Sequence, residues 1–153
     1  MTDKIKMVAK NRKARFEYTI EETLEAGMVL KGTEVKSLRQ GRVNLKDGFA
    51  RIKEGELWLE NVNISIYPFS HYGNHDPERP RKLLLHKHEL RRLTGKTAER
   101  GYSLVPLSLY FKEGRAKVQL GLAKGKKTRD KRQAIRERQE SREVERALKK
   151  EHH

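Results

Sequence analysis

Alternating apolar and polar positions mark the first part of the chain as a series of short β-strands. In the segment RFEYTI, Phe16, Tyr18 and Ile20 would line one face of a strand, and the apolar run AGMVL follows. An alternation with period two arises when one face of a strand packs on a core and the other meets water. The pattern therefore predicts a half-buried strand that already includes Phe16.

Two longer segments predict β-hairpins, because each has strand-like sequence on both sides of a Glu-Gly pair. FARIKEGELWLENVNISI would turn at Glu54 and Gly55, and YSLVPLSLYFKEGRAKVQLGLA would turn at Glu113 and Gly114. Between them, YPFSHYGNHDPERPRK contains three of the four prolines and predicts an irregular loop.

Two stretches break the strand pattern and predict short helices. TEVKSLRQG offers Thr33 as an N-cap and Gly41 as its end, whereas HKHELRRLTG places Leu90 and Leu93 on one face and ends at Gly95. Five or more strands with a helix between them suit an OB-like fold. The predicted class is mainly β, an OB-like closed β-barrel with two or three short helices.

The composition changes near Lys124. The last thirty residues contain no aromatic side chain, and their larger aliphatic residues are only Ile135, Val144 and Leu148. This segment cannot bury enough apolar surface to offset the entropy lost on ordering, so we expect it to be disordered when free. The chain is thus predicted to divide into a barrel, residues 1–123, and a basic C-terminal tail, residues 124–153.

Within the tail, cationic residues recur every four positions and would share one face of a helix. These residues are Arg138, Arg142, Arg146 and Lys150. The tail contains no proline, and its last glycine is Gly125. We therefore predict a helix that forms when a polyanion screens the cations, the alternative being a solvated helix held by Glu–Arg pairs.

The charge balance indicates the class of partner. The chain carries 36 Lys and Arg against 21 Asp and Glu, a net charge of +15, of which residues 124–153 supply +6. A field of this sign attracts polyanions and favours counterion release from phosphates, so nucleic acid is the leading candidate. No apolar run approaches the roughly 18 residues of a membrane span. With no cysteine and no secretory signal, we expect a cytoplasmic protein that does not bind membranes.

Side chains that could support catalysis or bind a metal do not form a recognisable pattern. GLAKGKKT departs from a phosphate-binding loop in the spacing of its glycines and lacks the hydroxyl residue after the first lysine of its pair. His86 and His88 are two residues apart and would diverge on a helix. Glu21, Glu22 and Glu25 are expected to fill a polar turn between strands. We therefore expect a protein that is not an enzyme and has no metal or cofactor.

Several motifs, in order along nearly the whole chain, resemble one known family. They are EAGMVLKGTEVKSLRQGRVNLKDGFA, RKLLLHKHELRRL, LVPLSLYFKEGRAKVQLGLAKGKKTRDKR and the tail rich in Arg, Lys and Glu. Together they are similar to small protein B, the SsrA-binding protein family of bacterial trans-translation. The resemblance implies an OB-fold barrel that holds the tRNA-like domain of transfer-messenger RNA (tmRNA), and a tail that works inside a stalled ribosome.

The same resemblance implies particular functional residues. For RNA contact these are Asn11, Glu25, Leu84 and Lys117, with Gly125 in the loop that enters the tail. For the function of the tail they are the triplet Asp130, Lys131 and Arg132. Some family members carry a histidine or an aromatic residue where this chain has Arg129, so no stacking role is transferred to that position.

Residue chemistry leaves two of these assignments open. Glu25 could accept hydrogen bonds from base edges or 2′-hydroxyl groups, or it could be a turn residue that precedes a glycine. Leu84 is the middle residue of LLL, and strand alternation would point it away from Leu83 and Leu85. It would then either be exposed and pack on unstacked bases, or be covered as part of the core.

The tail provides a hypothesis for how an empty mRNA channel could be sensed. A tail that becomes helical only among the rRNA phosphates of an empty channel would couple its folding to the absence of mRNA. We therefore expect a monomer that delivers tmRNA to stalled ribosomes, with its tail in the empty mRNA channel and decoding site. The alternatives are a general or structural ribosome-associated RNA-binding protein and an enzyme that acts on RNA.

Overall fold

The computed structural model describes residues 4–70, 73–99 and 101–125, which form nine strands and three helices. In chain order these are β1 (Ile5–Lys10), α1 (Arg12–Glu17), β2 (Tyr18–Met28), α2 (Gly32–Arg39), β3 (Val43–Asn44), β4 (Phe49–Lys53), β5 (Glu56–Glu60), β6 (Asn63–Ile64), β7 (Arg81–Leu84), α3 (Lys87–Ala98), β8 (Tyr102–Lys112) and β9 (Arg115–Gly125). The predicted class, mainly β with a few short helices, is confirmed.

Six of the strands form a closed antiparallel ring. Their order is β8-β4-β5-β7-β2-β9, and β9 pairs with β8 to complete the ring. Strand β1 pairs with the last residues of β8, whereas β4 meets β8 near its start, at Leu104. Strands β3 and β6 form a separate two-stranded sheet. The ring provides the closed sheet that an OB-like architecture requires.

Both predicted hairpin turns are present. Glu54 and Gly55 have φ angles of 53° and 75°, and Glu113 and Gly114 have φ angles of 52° and 79°. Two successive residues with positive φ are typical of the two-residue turn whose twist matches that of paired strands, and glycine adopts this conformation without strain. The turns set the register of β4 with β5 and of β8 with β9.

A single large core fills the ring. Its buried side chains come from all six ring strands, for example Ala26, Ala50, Leu57, Leu83, Leu104, Leu109, Val118 and Leu120. Helices α2 and α3 add Leu38 and Leu93, which are 1% and 0% exposed. The apolar residues of both helices therefore belong to the same core as the strands.

Residues 12–17 form α1, so the prediction that Phe16 begins a strand is wrong. The side chain of Asn11 accepts a hydrogen bond from the backbone amide of Ala14 and thereby caps the first turn of the helix. The segment contains Arg, Lys and Ala, which favour helices, and no β-branched residue. The strand begins only at Tyr18.

The ends of the other helices also differ from prediction. The Glu34 carboxylate accepts a hydrogen bond from the Lys31 amide at 2.7 Å, so α2 begins at Gly32 and Thr33 does not serve as its cap. Helix α3 continues through Gly95 as far as Ala98. A glycine inside a helix costs only about 1 kcal/mol, which the packing of a buried helix face can outweigh.

A buried ion network anchors α2 to β7. Glu34 accepts hydrogen bonds from Arg81 Nε at 2.6 Å and from Arg79 Nη2 at 2.5 Å. Arg81 is fully buried and also donates to the carbonyls of Val62 and Pro77. Burial alone would raise the pKa of Glu34, but the hydrogen bonds from its partners outweigh this effect and lower it. The carboxylate is therefore held in its charged form.

Replacing Glu34 by Gln should lower the free energy of unfolding by about 3 to 5 kcal/mol, because it leaves a buried guanidinium without its counter-charge. Glu22→Gln is the matched control, since it breaks the exposed pair with Arg92 and should cost no more than about 1 kcal/mol. Urea unfolding followed by circular dichroism measures both variants, and equal costs would contradict the anchoring role.

The same network predicts a pH dependence. The pKa of Glu34 is lower in the folded state than the value of about 4.3 expected in the unfolded chain. Its stabilising contribution should therefore be complete well above that value and be lost as the pH falls through the folded-state pKa. Glu34→Gln should show a smaller loss of stability on acidification than the unchanged protein.

Candidate nucleic-acid interface

Glu25 lies in the middle of β2 and faces the outside of the ring. Its neighbours Leu24 and Ala26 are buried, whereas Glu25 is exposed, as strand alternation requires. Glu21 and Glu22 lie in the same strand, at a register shift between Ile20 and Glu22, where a bulge accommodates the two consecutive carboxylates. The prediction that these glutamates fill a turn is wrong.

One row of paired residues crosses four strands of the ring. Leu84 on β7 is opposite Gly27 on β2, Gly27 is opposite Lys117 on β9, and Lys117 is opposite Tyr110 on β8. Residues directly opposite each other in antiparallel strands lie on the same face. Glu25 is two residues before Gly27 and so shares that face. We call the surface formed by Glu25, Gly27, Leu84, Tyr110 and Lys117 the outer-face cluster.

Gly27 keeps the centre of the cluster open. A Cβ atom at this position would lie 3.5 Å from the Cβ atom of Leu84 and 3.7 Å from the Nζ atom of Lys117. Because glycine has no side chain, the ammonium group can extend across the β2 backbone towards the leucine. A cation and an apolar side chain are therefore adjacent on one open surface.

Two neighbours hold the Glu25 carboxylate in place. The hydroxyl group of Tyr110 donates a hydrogen bond to Oε2, and the Nζ atom of Lys112 lies 3.5 Å from Oε1. Burial of the Tyr110 ring, together with its bond to Glu25, raises the pKa of the phenol well above its usual range. The hydroxyl donates to the half-exposed carboxylate, which thereby keeps a fixed orientation with capacity to accept further hydrogen bonds.

The structure resolves the question that the sequence left open for Leu84. Leu84 is 53% exposed, whereas Leu83 is 2% exposed and Leu85 packs against the core. The apolar side chain in the middle of LLL thus faces solvent within the outer-face cluster. It is available to pack on a flat apolar surface such as an unstacked base.

Asn11 has a different environment. Its side chain is buried, donates hydrogen bonds to the carbonyl groups of Pro106 at 2.9 Å and Leu45 at 3.3 Å, and accepts one from the amide of Ala14. These bonds fix the beginning of α1 against β8 and the chain before β4. The structure therefore brings Glu25, Leu84 and Lys117 together, but it does not include Asn11 in their row.

Sequence reasoning missed residues in and beside the outer-face cluster. Tyr110 and Lys112 were not singled out, although polar and apolar residues alternate along LSLYFK and place both on the face opposite the core. Strand β1 was not predicted at all. It pairs Met7 with Tyr110, so Met7, which is 46% exposed, extends the row by one strand.

His86 and His88 do not diverge as predicted, since their rings stack with centroids 5.7 Å apart and planes inclined by 11°. His86 precedes α3 and has extended backbone angles, so the 100° step of a helix does not separate the two side chains. Within the described ranges, no group of three or more His, Asp or Glu residues could hold a metal ion.

Strand β9 continues to Gly125, two residues beyond the predicted end of the barrel at residue 123. Lys124 pairs with Thr19 and with Tyr102, and Gly125 pairs with Tyr18. The remaining tail residues expected to be functional lie outside the described residues, and they are Asp130, Lys131, Arg132, Arg138, Arg142, Arg146 and Lys150. None of the helices in the described part of the chain is both long and apolar enough to cross a membrane.

These features define a class of protein. A closed ring of strands carries on its outside an oriented carboxylate, a lysine and an exposed leucine, in a chain with a net charge of +15. This combination is typical of small basic proteins that bind nucleic acid on a sheet surface. The family model of the SmpB protein matches residues 8–150, and the chain belongs to this family, as its motifs predicted.

Individual relatives are similar over almost their whole length. The SsrA-binding protein of Acidothermus cellulolyticus is 62% identical over 143 residues, which cover 94% of this chain and 90% of the relative. That of Thermosynechococcus vestitus is 60% identical over 150 residues, which cover 97% and 99%. A solved structure described as "tmRNA-SmpB: a journey to the center of the bacterial ribosome" is 57% identical, with a TM-score of 0.68, and the match covers 84% of this chain and 94% of that chain.

Adjacent leucines of β7 provide a stability test of the outer-face cluster. Leu83→Ala should lower the free energy of unfolding by about 2 to 5 kcal/mol, because it leaves a cavity in the core. Leu84→Ala should change it by no more than about 0.5 kcal/mol, since this side chain faces solvent. Urea unfolding of the two variants measures the difference, and a large cost for Leu84→Ala would show that the leucine is part of the core.

Proposed function

We propose that this protein binds the tRNA-like domain of transfer-messenger RNA (SsrA) through the outer-face cluster and delivers this RNA to stalled ribosomes for trans-translation. The observation that carries the proposal is the convergence of Glu25, Leu84 and Lys117, which are far apart in the sequence, on one open face. The names of the relatives, SsrA-binding proteins, and the described content of the related structure, tmRNA with SmpB and the bacterial ribosome, support the same RNA partner.

The members of the outer-face cluster can make different kinds of contact with RNA. Lys117 can pair with a phosphate, which positions the RNA without reading its sequence. Glu25, held by Tyr110 and Lys112, can accept hydrogen bonds from a 2′-hydroxyl group or a base amino group. Leu84 can pack on a base that is not stacked within the RNA. These contacts suit a folded RNA with exposed loops.

Asn11 contributes to RNA binding through its neighbours. Its three hydrogen bonds hold the start of α1, a helix whose first two residues, Arg12 and Lys13, are exposed cations. Loss of the Asn11 side chain would displace these cations as well as weaken the fold. Gly125 ends β9 and leaves space for the chain to turn from the ring into the tail.

The tail, in this proposal, occupies the empty mRNA channel and the decoding site of the stalled ribosome. The Asp130, Lys131 and Arg132 triplet lies near the decoding nucleotides, and the four cations spaced at Arg138, Arg142, Arg146 and Lys150 face rRNA phosphates along one side of a helix. The protein acts as a monomer in the cytoplasm and has no catalytic activity of its own.

Substitutions in the outer-face cluster should weaken binding to the tRNA-like domain in distinguishable ways. Glu25→Ala and Leu84→Ala should each cost about 1 to 3 kcal/mol of binding free energy, because each removes a specific contact. Lys117→Ala should reduce the slope of log K against log salt by about 1, as expected for the loss of one phosphate contact. Equilibrium binding across a salt series measures both effects.

Two controls make this experiment decisive. Lys53→Ala removes an exposed cation from the end of β4 and should leave the affinity for the tRNA-like domain nearly unchanged. An unrelated folded RNA should compete poorly with the tRNA-like domain. If it competes equally well, the protein is a general RNA-binding protein, and unchanged affinity of a folded Glu25→Ala variant would refute the role of this carboxylate.

The function of the tail can be tested apart from RNA binding. A chain cut after Gly125 keeps all of β9, so it should fold and bind tmRNA yet fail to support peptide tagging on stalled ribosomes. Changing Asp130, Lys131 and Arg132 to Ala should have the same effect. Glu143→Pro should also impair tagging, since proline costs roughly 3 kcal/mol inside a helix, whereas Glu143→Ala should not. A normal tagging rate for Glu143→Pro would show that the tail does not act as a helix there.

A further inference from the structure

The loop between β6 and β7 presents an aromatic pair to solvent. The rings of Tyr67 and Phe69 meet edge to face, with centroids 5.6 Å apart and planes inclined by 71°. Phe69 is 64% exposed, the largest exposed fraction of any large hydrophobic side chain in the described residues. Such a side chain loses the stabilisation that burial would provide, and a pair of aromatic side chains exposed together is typical of a binding site.

Hydrogen bonds fix the backbone that carries the pair. Asn74 accepts a hydrogen bond from the amide of Tyr67 at 3.1 Å and donates one to its carbonyl group at 2.7 Å. The next residue, His75, is buried, and its ring bonds the hydroxyl group of Thr33 and the carbonyl group of Ile64, both at 2.8 Å. The base of the loop is thereby attached to α2 and to β6, and the backbone of Tyr67 is held in place before any partner arrives.

A cation of α2 lies beside the aromatic pair. The Nζ atom of Lys36 is 5.4 Å from the centroid of the Tyr67 ring. The exposed charged side chains of α2 are Lys36 and Arg39. The one carboxylate of this helix, Glu34, is buried and paired with two arginines. The charged side chains that α2 exposes are therefore both cations, and one of them, Lys36, lies next to the Tyr67 ring.

We propose that Phe69, Tyr67 and Lys36 form a second RNA contact, in which an unpaired base stacks on the exposed ring of Phe69 and a neighbouring phosphate pairs with Lys36. Base stacking on aromatic side chains next to cations is the general mode of single-stranded RNA binding. The ammonium group of Lys36 beside Tyr67 favours a strand with phosphates over an apolar protein surface. None of the three residues belongs to the outer-face cluster, so the protein could hold a second RNA segment while that cluster holds the first.

A tryptophan placed at the proposed stacking position tests this contact directly. In full-length protein with Trp58→Phe, which removes the only native tryptophan, Phe69→Trp adds a single fluorophore to the loop. Octaadenylate should cause a saturable loss of its emission, because adenine would stack on the introduced ring. Inorganic polyphosphate, which has negative charge but no bases, should not. Phe49→Trp in the same background is the matched control, since Phe49 is a partly exposed phenylalanine of β4.

Two additional substitutions test whether Lys36 is the phosphate contact and whether this site is independent of the function proposed above. Lys36→Gln should lower the salt slope of the octaadenylate titration by about 0.7, the value for one phosphate contact with a single strand. Glu25→Ala should leave the titration unchanged even if it weakens binding of the tRNA-like domain. An unchanged emission, an equal effect of polyphosphate, or equal quenching of the Phe49→Trp control would overturn the proposal.

Discussion

The pairing of β9 with both β2 and β8 is the constraint on which the candidate interface depends. Strand β9 lies between β2 and β8, which are far apart in the sequence. Lys117 of β9 is the direct partner of Gly27 on one side and of Tyr110 on the other. If either pairing shifted by one residue, the two faces of β9 would exchange. The side chain of Lys117 would then point into the core, and its apolar neighbours would face solvent. The buried side chains of β9, such as Val118 and Leu120, oppose this shift. Core packing therefore maintains the arrangement of charges on the outer face.

A second constraint is the buried carboxylate of Glu34. A buried ion pair is often no more stabilising than well-packed apolar residues, but it requires one particular geometry because each partner left alone is costly. Here the partners Arg79 and Arg81 belong to the end of the β6–β7 loop and to β7. The network therefore determines how α2, the loop that carries Phe69 and the strand that carries Leu84 are positioned together. Both proposed RNA contacts depend on it.

Local signals predicted the elements that are determined locally. The Glu-Gly turns required positive φ at two successive residues, and the alternation within LLL predicted opposite faces for Leu83 and Leu84. Helix α1 was missed although its signals are local, an Asn cap followed by helix-favouring residues, because the alternation of Phe16, Tyr18 and Ile20 predicted a strand over the same residues. Three members of the outer-face cluster, Glu25, Leu84 and Lys117, could be inferred only from family resemblance, since they meet through pairings between strands that are distant in the sequence. The bulge near Glu22 likewise has no clear signal in the residues around it.

The position of Glu25 bears on whether the interface selects its RNA. The described ring is strongly basic, and cations alone would attract any polyanion with little discrimination. A carboxylate on the same face repels phosphate, so an RNA gains from the nearby lysines only if it presents a hydrogen-bond donor to Glu25 and directs its phosphates elsewhere. The contacts with Tyr110 and Lys112 restrict rotation of the Glu25 side chain, so the carboxylate cannot move away from a phosphate placed beside it. The long-range charge therefore accounts for attraction, whereas the fixed carboxylate penalises RNAs of the wrong shape.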